Sequence, residues 1–130
     1  MTPARASGRG ARRAGHRARR RSVSEDERVE LAAAADAVEW LAGATTAGEW
    51  RIGGLLATRP EIIAHHPDGA TEHVAEARSG SARWIAAMSP ALARPLAQWL
   101  RSAAAQEPVD PAALRFARVI TERAAGAERG

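Results

Sequence analysis

Residues 80–104 constrain the fold more than any other stretch, because a serine–proline pair interrupts a helical spacing of large apolar residues there. The large apolar residues are Trp84, Ile85, Met88, Leu92, Leu96, Trp99 and Leu100. They recur every three or four residues, as on one face of a helix. Ser89 before Pro90 is the pattern of an N-cap and a first helical residue. We therefore predict a short helix capped by Ser81 and a second helix from Pro90 to about residue 104.

The preceding stretch has the pattern of an antiparallel sheet. Residues that favour strands cluster over positions 50–57, 60–66 and 70–76. Between the last two lies His-Pro-Asp-Gly, which is typical of a type I turn followed by a left-handed glycine. We expect a three-stranded meander in which Ile62 lies opposite Val74 and His65 lies opposite Thr71.

Two more helices are predicted from their caps. Ser24 stands three residues before Glu27, as in a capping box, which predicts a helix over about 25–42. Asp110 before Pro111 predicts a last helix over about 111–125. The predicted fold class is α+β, with an N-terminal helix, a small three-stranded antiparallel meander and C-terminal helices packed on one face of the sheet. This single domain is expected to span residues 24–126, with a frayed tail over 127–130.

Alanine limits the size of the core, because the chain has 33 alanines and only 26 larger apolar residues. The four tryptophans fall one per predicted element, and we expect their rings to fill this thin core. They are Trp40, Trp50, Trp84 and Trp99. A thin core also favours a homo-oligomer, most simply a dimer. Trp99 and Leu100 are the candidate interface, since two adjacent large residues on one helix cannot both face the core. A monomer with both residues at its core boundary is the alternative.

Residues 1–23 form an arginine-rich arm. Residues 1–22 carry a charge of +8, whereas the rest of the chain carries −4. Because residues 1–22 offer so little apolar surface to bury, the arm is predicted to be disordered. Its arginines are candidate contacts to nucleic acid: Arg5, Arg9, Arg12, Arg13, Arg17, Arg19, Arg20 and Arg21. The alternatives are a solvated tail without a ligand and an upstream region translated from an early start codon.

The sequence lacks the patterns that carry catalysis. The absence of cysteine excludes disulfides and thiolate metal sites. His65 and His73 are expected on one sheet face, with Glu72 and Glu76 on the other, so a third metal ligand is missing. Neither a nucleophile elbow nor a phosphate-binding loop is found. We therefore predict no catalytic residue, no cofactor and no metal, and a cytoplasmic protein without an apolar membrane span.

The segment from Trp50 to Leu100 resembles small proteins encoded by actinobacterial phages, prophages and their hosts. In those proteins a strand pair leads to an alanine-rich His-Ile-Ala-x-x-Ser/Asp-Pro helix junction. Residues 84–90 match this junction as Trp-Ile-Ala-Ala-Met-Ser-Pro, with Trp84 in place of the usual histidine. The resemblance implies an origin and a fold, and it implies no reaction.

Two function classes follow from these observations. The first is a non-catalytic interaction module of phage or prophage type that self-associates. The alternative is a nucleic-acid-associated accessory protein that binds polyanions through the arginine-rich arm. An enzyme ranks third, because no acid–base pair or nucleophile stands in a recognisable arrangement.

Overall fold

The computed structural model describes residues 9–54 and 59–129, and it confirms the α+β class. Its helices and strands, in chain order, are α1 (Arg9–Gly43), β1 (Glu49–Gly53), β2 (Glu61–His65), β3 (Thr71–Glu76), α2 (Ser79–Ala87), α3 (Ala93–Ala105) and α4 (Pro111–Glu128). A short 3₁₀ turn, Pro90–Leu92, joins α2 to α3. The predicted extension of the first strand to residue 57 lies outside the described residues.

The sheet is an antiparallel meander in the order β1-β2-β3. His65 pairs with Thr71 as predicted, but a bulge between Ile62 and Ile63 shifts the register. Ile62 therefore lies opposite Ala75 instead of Val74. One extra residue in β3 bends the strand at this point.

The turn between β2 and β3 follows its sequence signature. The Gly69 N–H donates to the His66 carbonyl oxygen at 3.0 Å, and the Ala70 N–H donates to Asp68 Oδ1 at 2.9 Å. Gly69 has a φ of +88°, which a glycine adopts without the steric cost of a Cβ.

The main core lies between α1, α3 and α4 and is lined mostly by alanine. Its fully buried members include Leu31, Ala34 and Ala35 of α1, Ala97 and Leu100 of α3, and Ala113 and Ala117 of α4. Helices lined by small side chains approach to the short end of the usual interaxial range, about 8 Å. Such a gap leaves no room for indole rings. The prediction that one tryptophan per element fills the core is therefore wrong: Trp40, Trp84 and Trp99 are exposed.

The helices use different partners. α3 and α4 pack mainly along α1, whereas α2 packs on β1 and β2. Ile62, Ala64 and Ala82 are fully buried in the region where α2 meets the sheet. We expected all the C-terminal helices to pack on the sheet, but only α2 makes its main contacts there. The longer α3 and α4 find their apolar counterpart on α1, which offers a longer face than a five-residue strand.

The helix α1 begins at Arg9 and not near residue 25, so the predicted boundary at Ser24 is absent. The segment 9–22, predicted as part of a disordered arm, is helical in the structure. Alanine and arginine are both strong helix formers, and proline is absent from this segment. Local propensity thus outweighs the lack of apolar surface. Residues 1–8 of the predicted arm lie outside the described residues.

The junction at Ser89 separates two helices as predicted, but by a different contact. Ser89 has extended backbone angles, and its side chain makes no capping hydrogen bond. The Leu92 N–H, which a cap would satisfy, donates to the Ser89 backbone carbonyl at 3.0 Å. The 3₁₀ turn therefore replaces the side-chain cap. The predicted cap at Ser81 is also absent, since α2 already begins at Ser79.

Two arginines of the C-terminal half, one on α3 and one on α4, form ion pairs with acids of α1. Arg101 of α3 donates to Asp36 Oδ1 at 2.9 Å and also bonds to the Glu39 carboxylate. Arg118 of α4 donates through Nε to Glu30 Oε2 at 2.7 Å. The hydrogen bond from Arg101 lowers the pKa of Glu39 below its ordinary value, and its bonds to Glu39 and Asp36 raise the pKa of Arg101. These exposed pairs set orientation more than stability.

Asp110→Ala and Ser89→Ala should differ in their effect on stability. Asp110 is an N-cap whose Oδ1 accepts from the Ala112 N–H at 3.0 Å. Its loss should lower the free energy of unfolding by about 1 kcal/mol. Ser89→Ala removes no capping bond and should cost less than about 0.5 kcal/mol. Urea denaturation of both variants measures this, and equal losses would contradict the assigned caps.

Glu39→Gln should lower the urea midpoint slightly at neutral pH and not in acid. The pKa of Glu39 is depressed in the folded state, so ionised Glu39 favours folding above its ordinary pKa of 4.5. That contribution disappears as the pH falls from 4.5 through the depressed folded value. Urea midpoints at neutral and strongly acidic pH test this, with Glu122→Gln, an exposed glutamate of α4, as the matched control. If Glu39→Gln lowered the urea midpoint equally at both pH values, the proposed role of ionised Glu39 would be contradicted.

Candidate functional site

Two surfaces stand out: an arginine-bearing extension of α1 and an apolar groove beside the three-helix core. The extension comprises residues 9–23. The turn between α3 and α4 meets α1 at Arg28, whose Nη2 lies 3.4 Å from Glu107 Oε2. At 1.5 Å per residue, the extension reaches about 21 Å along the α1 axis from residue 9 to residue 23. The side chains from Arg12 to Val23 are all exposed.

The basic side chains of the extension share one side of the helix. At about 100° per residue, the seven of them from Arg12 to Arg21 fall within an arc of about 200°. They are Arg12, Arg13, His16, Arg17, Arg19, Arg20 and Arg21. The opposite side holds Ala14, Gly15, Ala18 and Ser22. Residues 9–22 contain no acid, so the helix presents a continuous positive surface, which we call the basic face.

The basic face continues the stripe of α1 that is buried in the core. Leu31, Ala35 and Val38 face α3 and α4, and counting back by whole turns from Leu31 reaches Arg20 and Arg13. The partner helices end near Arg28, so the same stripe meets water before that point. A cleft of about 720 Å³ lies there, bordered by residues such as His16 and Arg20 on α1 and by the α3–α4 turn.

The structure brings six of the eight predicted arginines together on this face. Arg9 begins the helix, and Arg5 lies outside the described residues. The signal for an ordered face was present in the sequence, since Arg13, Arg17 and Arg20 recur at helical spacing. The prediction of disorder rested on composition alone and did not use this spacing.

The second surface is an apolar groove of about 540 Å³ between α3 and α4. Both helices pack on α1 but make few contacts with each other, so α1 forms the floor of the groove. Val38 and Leu41 line the floor, with Leu96 on the α3 side and Phe116 and Ile120 on the α4 side. Apart from buried Val38, these side chains are half-buried and stay accessible from the groove.

Aromatic and sulfur-bearing side chains close one end of this groove. Trp50 of β1 is half-buried there, and its Nε1 donates to the Thr46 carbonyl oxygen at 3.0 Å. Trp84 and Met88, one turn apart, form the rim. They are 66% and 52% exposed. The sequence placed both in the apolar stripe, but it did not show that they project from it.

The two predicted interface residues occupy different environments. Leu100 is 0% exposed and belongs to the three-helix core, so it is unavailable to a partner. Trp99 is 41% exposed, and its ring packs at a tilt on Phe116 with centroids 5.4 Å apart. The sequence rule that adjacent residues point apart was correct. It left open which of the two is buried.

One face of the sheet carries two of the four histidines. His65 and His73 share this face as diagonal neighbours, in agreement with the expected register. The bulge moves Glu76 onto the same face, opposite Glu61, so its expected position on the other face is wrong. His73 Nδ1 lies 4.0 Å from Glu61 Oε2. Within the described residues no group of three or more potential ligands could hold a metal ion.

No family model, curated protein or solved structure matches this chain. Among residues 9–54 and 59–129, no helix has both the length and the apolar character needed to cross a membrane.

Breaking the N-terminal half of α1 should reduce helicity without unfolding the domain. Ala18→Pro removes a backbone donor in a helical segment that lacks tertiary support, at a cost of about 3 kcal/mol. Far-ultraviolet circular dichroism should show a loss of helical signal, while the urea midpoint followed by tryptophan fluorescence stays unchanged. The control is Ala18→Gln, which keeps a strong helix former at the same position. Equal spectra for the two variants would contradict an ordered basic face.

Proposed function

We propose that the chain is a non-catalytic accessory protein that binds double-stranded nucleic acid through the basic face. The observation that carries this proposal is the display of six arginines and a histidine along one exposed helix without an acid among them. Guanidinium groups form bidentate, charge-assisted hydrogen bonds with phosphate oxygens. A rigid row of them suits the regular phosphates of a duplex, and binding releases condensed counterions.

The side of the helix opposite the basic face argues against a membrane as the ligand. Helices that lie in a bilayer interface pair their basic residues with large apolar ones such as Trp, Phe or Leu. Here the opposite side holds Ala14, Gly15, Ala18 and Ser22. Those side chains are too small to anchor a helix in lipid, whereas they leave contacts to phosphates unaffected.

The charge of the remaining chain supports the assignment of binding to the helix. Residues 23–130 carry eleven arginines against fifteen acids. Two of these arginines, Arg101 and Arg118, already pair with acids of α1. The domain therefore repels a polyanion weakly, and α1 supplies the attraction. Because arginine contacts to phosphate oxygens carry no information about the bases, we expect little dependence on base sequence.

A second proposed function is a protein-interaction module of phage type, acting in the cytoplasm. The observation that favours it is the apolar groove between α3 and α4, with Trp84 and Met88 exposed at its rim. Groups of large exposed apolar residues mark interaction sites in soluble proteins. The phage-type origin has its support in the helix junction at residues 84–90.

The nucleic-acid proposal predicts a steep and arginine-dependent loss of affinity with salt. Six phosphate contacts correspond to a log–log slope of about −5 for duplex DNA. The triple variant of Arg13, Arg17 and Arg20 to Gln should lower the magnitude of this slope by about 3. Fluorescence anisotropy of a labelled duplex at several salt concentrations measures both values.

The matched control removes the same net charge elsewhere. Arg94, Arg115 and Arg123 are exposed on α3 and α4, so their replacement by Gln changes the net charge equally. This control should keep the slope of the unaltered chain. Equal weakening by both triple variants would show a response to net charge and would contradict binding through the basic face.

A further inference from the structure

We propose that the apolar groove is the interface of a two-fold dimer in which Trp84 of each copy enters the groove of the other. This inference rests on the interaction-module proposal and specifies its partner as a second copy of the chain. It does not depend on nucleic-acid binding, because the groove and the basic face involve different residues. It also corrects the predicted interface, since Leu100 is buried and Trp99 only flanks the groove, where its ring packs on Phe116.

The three-helix core is open on one side. α3 and α4 each pack on α1, and the space between them is filled by no helix of the described residues. The apolar side chains of Leu96, Phe116 and Ile120 border this space. Excluding water from it would therefore lower the free energy of the protein. A volume of about 540 Å³ lies within the range of protein pockets that enclose compact apolar groups.

Two exposed side chains, Trp84 and Met88, project beside the apolar groove. Trp84 and Met88 extend from the last turn of α2 and the residue after it, at the end of the groove. A two-fold rotation exchanges projection and recess, so each copy fills the groove of the other with the same residues. Such a self-complementary patch is what an isologous interface requires.

The apolar area is sufficient for a dimer of moderate affinity. Trp84 and Met88, the half-buried walls of the groove and the exposed part of Trp99 beside Phe116 together offer on the order of 500 Å² per copy. Two copies would bury about 1,000 Å², which is near the lower limit for a specific interface. We therefore expect a dissociation constant in the micromolar range, about 1–100 μM.

The experiment is sedimentation equilibrium of the full chain, freed of nucleic acid by nuclease, over a concentration range that brackets these values. A monomer–dimer equilibrium is the expected result. Trp84→Ala should raise the dimer dissociation constant at least tenfold, and Met88→Glu should do the same by placing charges in the groove. Both side chains are largely exposed, so both variants should keep the circular dichroism spectrum of the unaltered chain.

Trp40→Ala is the matched control. Trp40 is 55% exposed, close to the value for Trp84, but it projects from the side of α1 opposite the core. Its replacement should leave the dissociation constant unchanged. The arginine-to-glutamine triple variant of the basic face should also remain dimeric while losing DNA affinity, which separates this inference from the first proposed function.

Two results would overturn the inference. A chain that sediments as a monomer at every concentration has no such interface, even if its groove binds another protein. A dimer that Trp40→Ala weakens as much as Trp84→Ala does would place the interface elsewhere.

Discussion

The close approach of α3 and α4 to α1 through alanine is the contact on which the rest of the structure depends. Ala34 and Ala35 meet fully buried alanines of both partner helices. Each methyl group contributes little hydrophobic free energy, but the short distance brings backbone atoms of both helices into dispersion contact. Close packing of the helices therefore compensates for the small number of large apolar residues in the core. The same proximity excludes indole rings, which explains why three of the four tryptophans are exposed.

The apolar groove is a consequence of the same geometry. Two helices that both approach α1, while making few contacts with each other, leave a recess between their outer faces. Leu96 and Phe116 are long enough to line this recess but not to close it. The ion pairs of Arg101 and Arg118 with α1 hold the helices in this open arrangement at little energetic gain. Side chains excluded from the core thus become available for association.

Helix α1 combines two environments on one stripe. From Leu31 onward this stripe is apolar and covered by α3 and α4. Before residue 22 it is basic and faces water, because the partner helices end near Arg28. A single rigid helix thereby links a packed domain to a charged surface without a flexible linker. The proposed dimer would carry two such basic faces, and simultaneous binding of both to one duplex would raise the apparent affinity.

Features set by neighbouring residues were determined by the sequence itself. The β2–β3 turn, the Asp110 cap and the break at Ser89 each depend on a few adjacent positions, and the structure confirms all three. Helical order over 9–22 was also within reach, since it follows from the propensity of alanine and arginine. Tertiary structure decided the rest: the bulge at Ile62, the burial of Leu100 in place of Trp99, and the groove. These depend on which helix faces approach each other across distant parts of the chain, and local spacing cannot specify such contacts.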